Sequence, residues 1–264
     1  MSLNIQHLRE PASALTHGLW FIASIPLIIR LMRKTSDRTK QFTILLYGLT
    51  LLACSGASTV FHSVHGSEPT LAWYNRLDHI GIGLLIAGTY TPIAFHLLHA
   101  KSGKQVLSLI WAAAIAAALL RIAYNPIPKG IATSIYLAMG WGAVPGYALV
   151  CQRVPWSKTR MIAEGGLFYT FGALLHWQDA PSLIPGIFEA HDLFHLMVMA
   201  GSFRHYQFIE QTVLPSFDPE CLGANLGYSL TAPIAEPSEP VTYQAIRKPF
   251  LWMRKSNRQE MPQP

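Results

Sequence analysis

Seven apolar stretches, each about as long as a bilayer is thick, constrain this chain more than any other feature. A helical span takes roughly 17–25 residues, and runs of that size fall at about 14–32, 42–62, 78–99, 106–124, 131–151, 161–177 and 188–210. The intervening stretches 33–41, 63–77, 100–105, 125–130, 152–160 and 178–187 carry the breakers and charges of loops. Connections this short make neighbouring spans pack antiparallel. The expected fold is therefore all-α: a polytopic membrane protein whose seven-transmembrane helix bundle occupies residues 1–210. A proline-containing, disordered tail should follow over 211–264, where eight prolines and many polar residues leave no spanning run.

Charged residues make up 13% of the 264 residues, about half the share usual in soluble domains. The net charge of +6 does not point to nucleic acid, because the basic residues flank apolar segments as they do in membrane proteins. The first run is long enough to span and no small-residue cleavage site follows it, so a removed signal peptide is not expected. Cys54, Cys151 and Cys221 have neither a disulfide framework nor metal-ligand spacing and read as packing residues. Gly81, Gly83, Gly88, Gly140, Gly142, Gly146, Gly165, Gly166 and Gly172 suit close helix approach. Pro26, Pro92 and Pro145 should kink their helices. In the tail, Pro249-Phe250-Leu251-Trp252-Met253 between the basic pairs Arg247-Lys248 and Arg254-Lys255 is either an inert segment or one that lies on an anionic membrane surface.

Seven spans also divide the polar residues between two membrane faces. The amino terminus and the loops after spans two, four and six hold eight of the eleven histidines but only Arg9, Arg76, Arg121 and Lys129 among the 20 basic residues. By the positive-inside rule the histidine-rich end faces away from the cytoplasm of a plasma or inner membrane.

At that end the chemistry concentrates. His191 and His195 are four apart at the start of the last span, so they share a helix face. His62 ends span two, one turn beyond Ser58, and Asp78 begins span three. Counting turns puts all five at a similar shallow depth. Ionisable groups in a span are costly and usually face the bundle interior. His62, His191 and His195 can supply three nitrogens to one zinc ion, with water in the fourth position. Asp78 can then orient or deprotonate that water, and Ser58 can hydrogen-bond it or a substrate carbonyl. Each residue also has a plainer reading. Ser58 can bond a carbonyl one turn back, Asp78 can cap span three, His62 and His79 can be interfacial, and Asp192 can be first-turn charge.

These residues sit in stretches that resemble the haemolysin III family, within the progestin and adipoQ receptor superfamily of seven-span proteins. The stretches are Glu10 to Gly18, Ser58 to Ser63, Leu77 to Ile82, Ile86 to Pro92, Tyr136 to Trp141, Gly165 to Ala173 and His191 to His195. Together they run in order over roughly residues 10–210. The resemblance implies zinc on His62, His191 and His195, Asp78 reaching it through water, and Ser58 in the same site. It implies an amino terminus in the cytoplasm for the receptor branch, the reverse of the charge count. Relatives are linked to hydrolysis of the amide bond of ceramide-like lipids.

Three functions follow for comparison. The first is a zinc-dependent hydrolase of a lipid amide or related carbonyl bond, with a membrane lipid as its partner. The second is a receptor-like or membrane-homeostasis protein with a structural or regulatory metal. The third is a pore-forming haemolysin, which would require a polar stripe along several spans that the sequence lacks. No oligomeric state follows from the sequence.

Overall fold

The computed structural model describes residues 8–124, 126–185 and 188–217. The expected tail from 218 onward, with Cys221 and the basic-aromatic cluster at 249–253, lies outside the described residues. Eight helices make up the rest: α1 (Pro11–Arg33), α2 (Arg38–Ser63), α3 (Glu68–Leu97), α4 (Ala100–Ala123), α5 (Lys129–Trp141), α6 (Val144–Cys151), α7 (Trp156–Gln178) and α8 (Ala190–Phe208). Each expected span has a counterpart, with α5 and α6 together filling the fifth. α1 to α4 are long and apolar enough to cross a membrane, and so is the stretch Lys129–Cys151. α7 and α8 reach 23 and 19 residues but are more polar.

The helices pack in a closed order. α2 lies between α1 and α3, α3 packs on α4, α7 pairs with α8, and α8 returns to α1. Polarity is inverted relative to a water-soluble bundle. Ser13, Ser24, Thr43, Thr50, Ser55, Ser58 and Thr159 are buried, while Leu19, Phe42 and Leu109 are 64%, 65% and 70% exposed. Lipid-facing apolar side chains around a core containing small polar groups are what a bilayer selects.

Helix ends follow local chemistry. Asp37 caps α2, its carboxylate accepting the backbone N–H of Thr39 at 2.7 Å and of Lys40 at 3.3 Å. Glu189 and Asp192 form a reciprocal capping box at the start of α8. Close approaches occur where side chains are missing. A Cβ on Gly81 would lie 2.8 Å from Cys54 Cα, and Gly165 and Gly201 bring α7 and α8 into similar contact.

Several expectations need correction. α3 starts at Glu68, ten residues before the apolar run, because a helix can extend past the hydrocarbon without apolar residues. Asp78 is therefore inside the helix, and Ser67 occupies the N-cap position instead. The fifth span breaks after Trp141, and Pro145 sits in the first turn of α6 rather than kinking a continuous helix. Pro26 and Pro92 do lie inside α1 and α3. Close contact is absent at Gly140 and Gly166, where a Cβ would meet nothing within 4 Å. Cys54 is buried as expected, but Cys151 is exposed at the end of α6. The last helix runs on past 210 through a π-turn, Ile209–Val213, and a 3₁₀ turn, Pro215–Phe217, with Ile209 and Val213 fully buried.

Candidate metal centre

α2 delivers His62 from its last turn, and α8 delivers His191 and His195 from its first two turns. His62 and His195 are 1% and 2% exposed. One nitrogen from each of the three rings lies within 4.8 Å of the others, so these histidines can hold a metal ion. Their ring centroids are 4.4–5.0 Å apart. His62 Nε2 and His191 Nε2 approach to 3.2 Å. Zinc–nitrogen bonds of about 2.0–2.1 Å in a tetrahedron separate two ligands by roughly 3.3 Å, so this pair has the spacing of a shared ion. Asp78 is not part of the metal-ligating group among the described residues, which leaves the set at three nitrogens.

The protonation of His62 sharpens that fit. Its Nδ1 is bonded to the Glu10 carboxylate, which accepts and cannot donate when ionised. The ring proton therefore sits on Nδ1. Nε2 then faces His191 Nε2, and something positive must lie between two such atoms: a proton on one of them, or a cation shared by both. Burial alone would raise the Glu10 carboxyl, but the His62 hydrogen bond and the Arg9 charge outweigh it and hold it below the usual carboxylate range.

Ser58 and Asp78 lie beside this cluster. Both are buried, at 1% and 7% exposure, and both line a cavity of ≈ 780 Å³. The hydroxyls of Ser55, Thr59 and Ser63 bond carbonyls one turn back, at 2.8, 2.6 and 2.6 Å. Among the described residues the Ser58 hydroxyl has no such bond, so the plain reading of Ser58 does not hold. His79, His176, His191 and His195 line the same end of the cavity, which continues between apolar side chains of α3 to α7. Asp192 faces α1, where it accepts the Ser13 hydroxyl at 2.5 Å and so ties α8 to α1.

Sequence reasoning named all five candidates but missed their neighbours. Glu10 precedes α1 and reaches His62 across 52 positions. His17 of α1 meets the His195 ring edge-on, with centroids 4.0 Å apart, and neither of its nitrogens has a partner among the described residues. His176, in the last turn of α7, brings its Nδ1 to 3.1 Å from His191 Nδ1. The available signal was the clustering of histidines on one face, which included His17 and His176. At the rim, Asp179 ends α7 with a left-handed backbone (φ 52°) and pairs with Lys129, which holds its carboxyl below the usual range.

A family model described as Haemolysin-III related matches residues 5–206. The chain is 30% identical over 213 residues to "Hemolysin-3" of Bacillus cereus, covering 78% of this chain and 93% of that protein. It is 26% identical over 197 residues to the "Hemolysin-3 homolog" of Bacillus subtilis, covering 73% and 89%. It is also 25% identical over 226 residues to the "Adiponectin receptor protein" of Drosophila melanogaster, covering 78% of this chain and 51% of that one.

Proposed function

The chain belongs to the haemolysin III family, and from that premise we propose that it is a zinc-dependent membrane hydrolase acting on a lipid amide or related carbonyl bond. The observation that carries the proposal is the 3.2 Å gap between His62 Nε2 and His191 Nε2, with the His62 proton committed to Glu10. His62, His191 and His195 would hold the ion, which supplies Lewis acidity and a water acidified to a pKa of about 7. The cavity supports a lipid substrate, since its polar end meets the histidines and its apolar length suits an acyl chain. Ser58 donates a hydrogen bond to the scissile carbonyl. Asp78 accepts the proton that water loses and returns it to the leaving nitrogen, so amide plus water gives carboxylic acid plus amine.

In this reading α7 and α8 complete a seven-span bundle with the five apolar spans. The histidine end faces away from the cytoplasm. Support for that side comes from the basic residues Arg30, Arg33, Lys34, Arg38, Lys101, Lys104, Arg153, Lys158 and Arg160 at the other end of the helices.

Metal analysis of purified protein, followed by lipid mass spectrometry, tests the proposal. We expect about one zinc per chain, lost in His191→Ala. Asp78→Asn should keep zinc and release no product from amide lipids that the wild type cleaves. Undiminished zinc in a variant with His62, His191 and His195 all changed to Ala would sink the ligand assignment. Zinc retention without product from amide or ester lipids would sink the hydrolase.

A further inference from the structure

Each of the three histidines turns its Nδ1 toward a different residue outside the metal-ligating group. His62 Nδ1 meets the Glu10 carboxylate, His191 Nδ1 lies 3.1 Å from His176 Nδ1, and His195 Nδ1 lies 3.5 Å from Thr16 Oγ1. A neutral imidazole holds one proton, and the partner on one nitrogen decides which nitrogen keeps the lone pair. Glu10 can only accept. The Thr16 hydroxyl directs its own proton at the Ala12 and Ser13 carbonyls, at 2.9 and 3.0 Å, so its oxygen faces His195 as an acceptor. His176 accepts through Nδ1 when its own proton is on Nε2. The Glu10 and Thr16 contacts favour, and the His176 contact permits, the same tautomer, with the proton on Nδ1 and the lone pair on Nε2.

We infer that Glu10, His176 and Thr16 are positioning residues that hold the three imidazoles with Nε2 turned inward and so set how tightly the cation is bound. The inference rests on the zinc reading of the site. Glu10 carries it furthest because it is itself held on several sides. Its backbone N–H donates to the His62 carbonyl at 3.0 Å, and its carboxylate pairs with Arg9 at 2.7 Å. Arg9 in turn donates to the Phe61 carbonyl at 2.6 Å and lies 4.4 Å over the Phe61 ring. The segment before α1 thus lies across the end of α2 and aims one carboxylate at one buried ring. A carboxylate on the outer nitrogen fixes ring orientation and raises ligand basicity, and losing such a partner typically costs about 10–100-fold in metal affinity.

The test is a set of mutant cycles read as zinc affinity, measured on the full chain in nanodiscs by competition with a chromophoric chelator. Glu10→Ala should weaken binding about 10–100-fold. Glu10→Gln should weaken it less, because the amide oxygen still accepts the Nδ1 proton. The Glu10→Ala penalty should vanish once His62 is also Ala, since the carboxylate acts only through that ring. The His176→Phe penalty should survive His62→Ala and vanish with His191→Ala. Thr16→Val, across the longest contact, should cost least. A Glu10→Ala penalty that persists without His62 would make Glu10 a residue of the fold, and no penalty at all would mean the rings are oriented without it. Either result overturns the inference. Failure of the wild type itself to bind zinc overturns the zinc reading instead.

Discussion

Gly81→Ala should force apart the two helices that carry Ser58, His62 and Asp78. The new methyl would lie 2.8 Å from Cys54 Cα, 3.4 Å from Cys54 Cβ and 3.5 Å from Cys54 N. Carbon atoms sit comfortably at about 3.5–4.0 Å, so α2 and α3 must separate by ~1 Å. The obstacle is backbone, so no change of rotamer relieves it. Overpacking of this kind costs about 1–3 kcal/mol. At ~2–4 °C per kcal/mol for a domain of this size, the unfolding midpoint should fall by roughly 2–12 °C. The same displacement reaches the site, because Cys54 lies one turn before Ser58 and Gly81 lies three residues after Asp78. Misplacing catalytic groups by about 1 Å can cost ~100-fold in rate. Gly83→Ala is the internal control, since its methyl would meet Tyr136 at 3.8 Å and Ala114 at 3.9 Å, ordinary contacts on the same helix. Tryptophan fluorescence on heating in nanodiscs, beside product formation, reads both effects. If Gly81→Ala and Gly83→Ala melt within about 1 °C of each other and turn over alike, the close-approach argument is wrong.

Two further outcomes concern the frame. Ser13→Ala removes the donor to the buried Asp192 carboxylate and should cost about 1–3 kcal/mol in the same melting assay; an unchanged midpoint would remove the α1–α8 tie from the account. Asp37→Ala should cost about 1 kcal/mol at neutral pH. The backbone N–H groups of Lys40 and Thr39 hold the Asp37 carboxyl below its ordinary value. Its contribution is thus present above the unfolded value of about 3.9 and lost as pH falls through the lower folded one. Wild type and variant should converge in acid, and an equal gap at pH 7 and pH 3 would contradict the cap.

The span positions were legible because lipid demands long apolar runs, and such runs dominate α1 to α4. The start of α3 was not, since Glu68, Asn75 and Arg76 break the apolar signal without breaking the helix. The division between α5 and α6 was hidden for the opposite reason: Met139, Trp141, Ala143 and Val144 keep the stretch apolar through the break. In the candidate site, spacing singled out His191 and His195, and position at the ends of apolar runs singled out His62, Ser58 and Asp78. Glu10 left no such trace. Its partner is 52 positions away, and it belongs to no span. Asp192 was assigned to the correct turn but to a simpler role, because its bond to Ser13 depends on how α1 and α8 meet.

The candidate ligands come from α2 and α8, and 129 positions separate His62 from His191. On a ribosome adding about 5–20 residues per second, roughly 6–26 s pass between the synthesis of the two. Until α8 has been made and inserted, a nascent chain can offer a cation a single one of the three histidines. A product truncated anywhere before His191 is in the same position, however well its first helices have assembled. Any cation that this centre holds would therefore be captured only after α8 has joined the bundle.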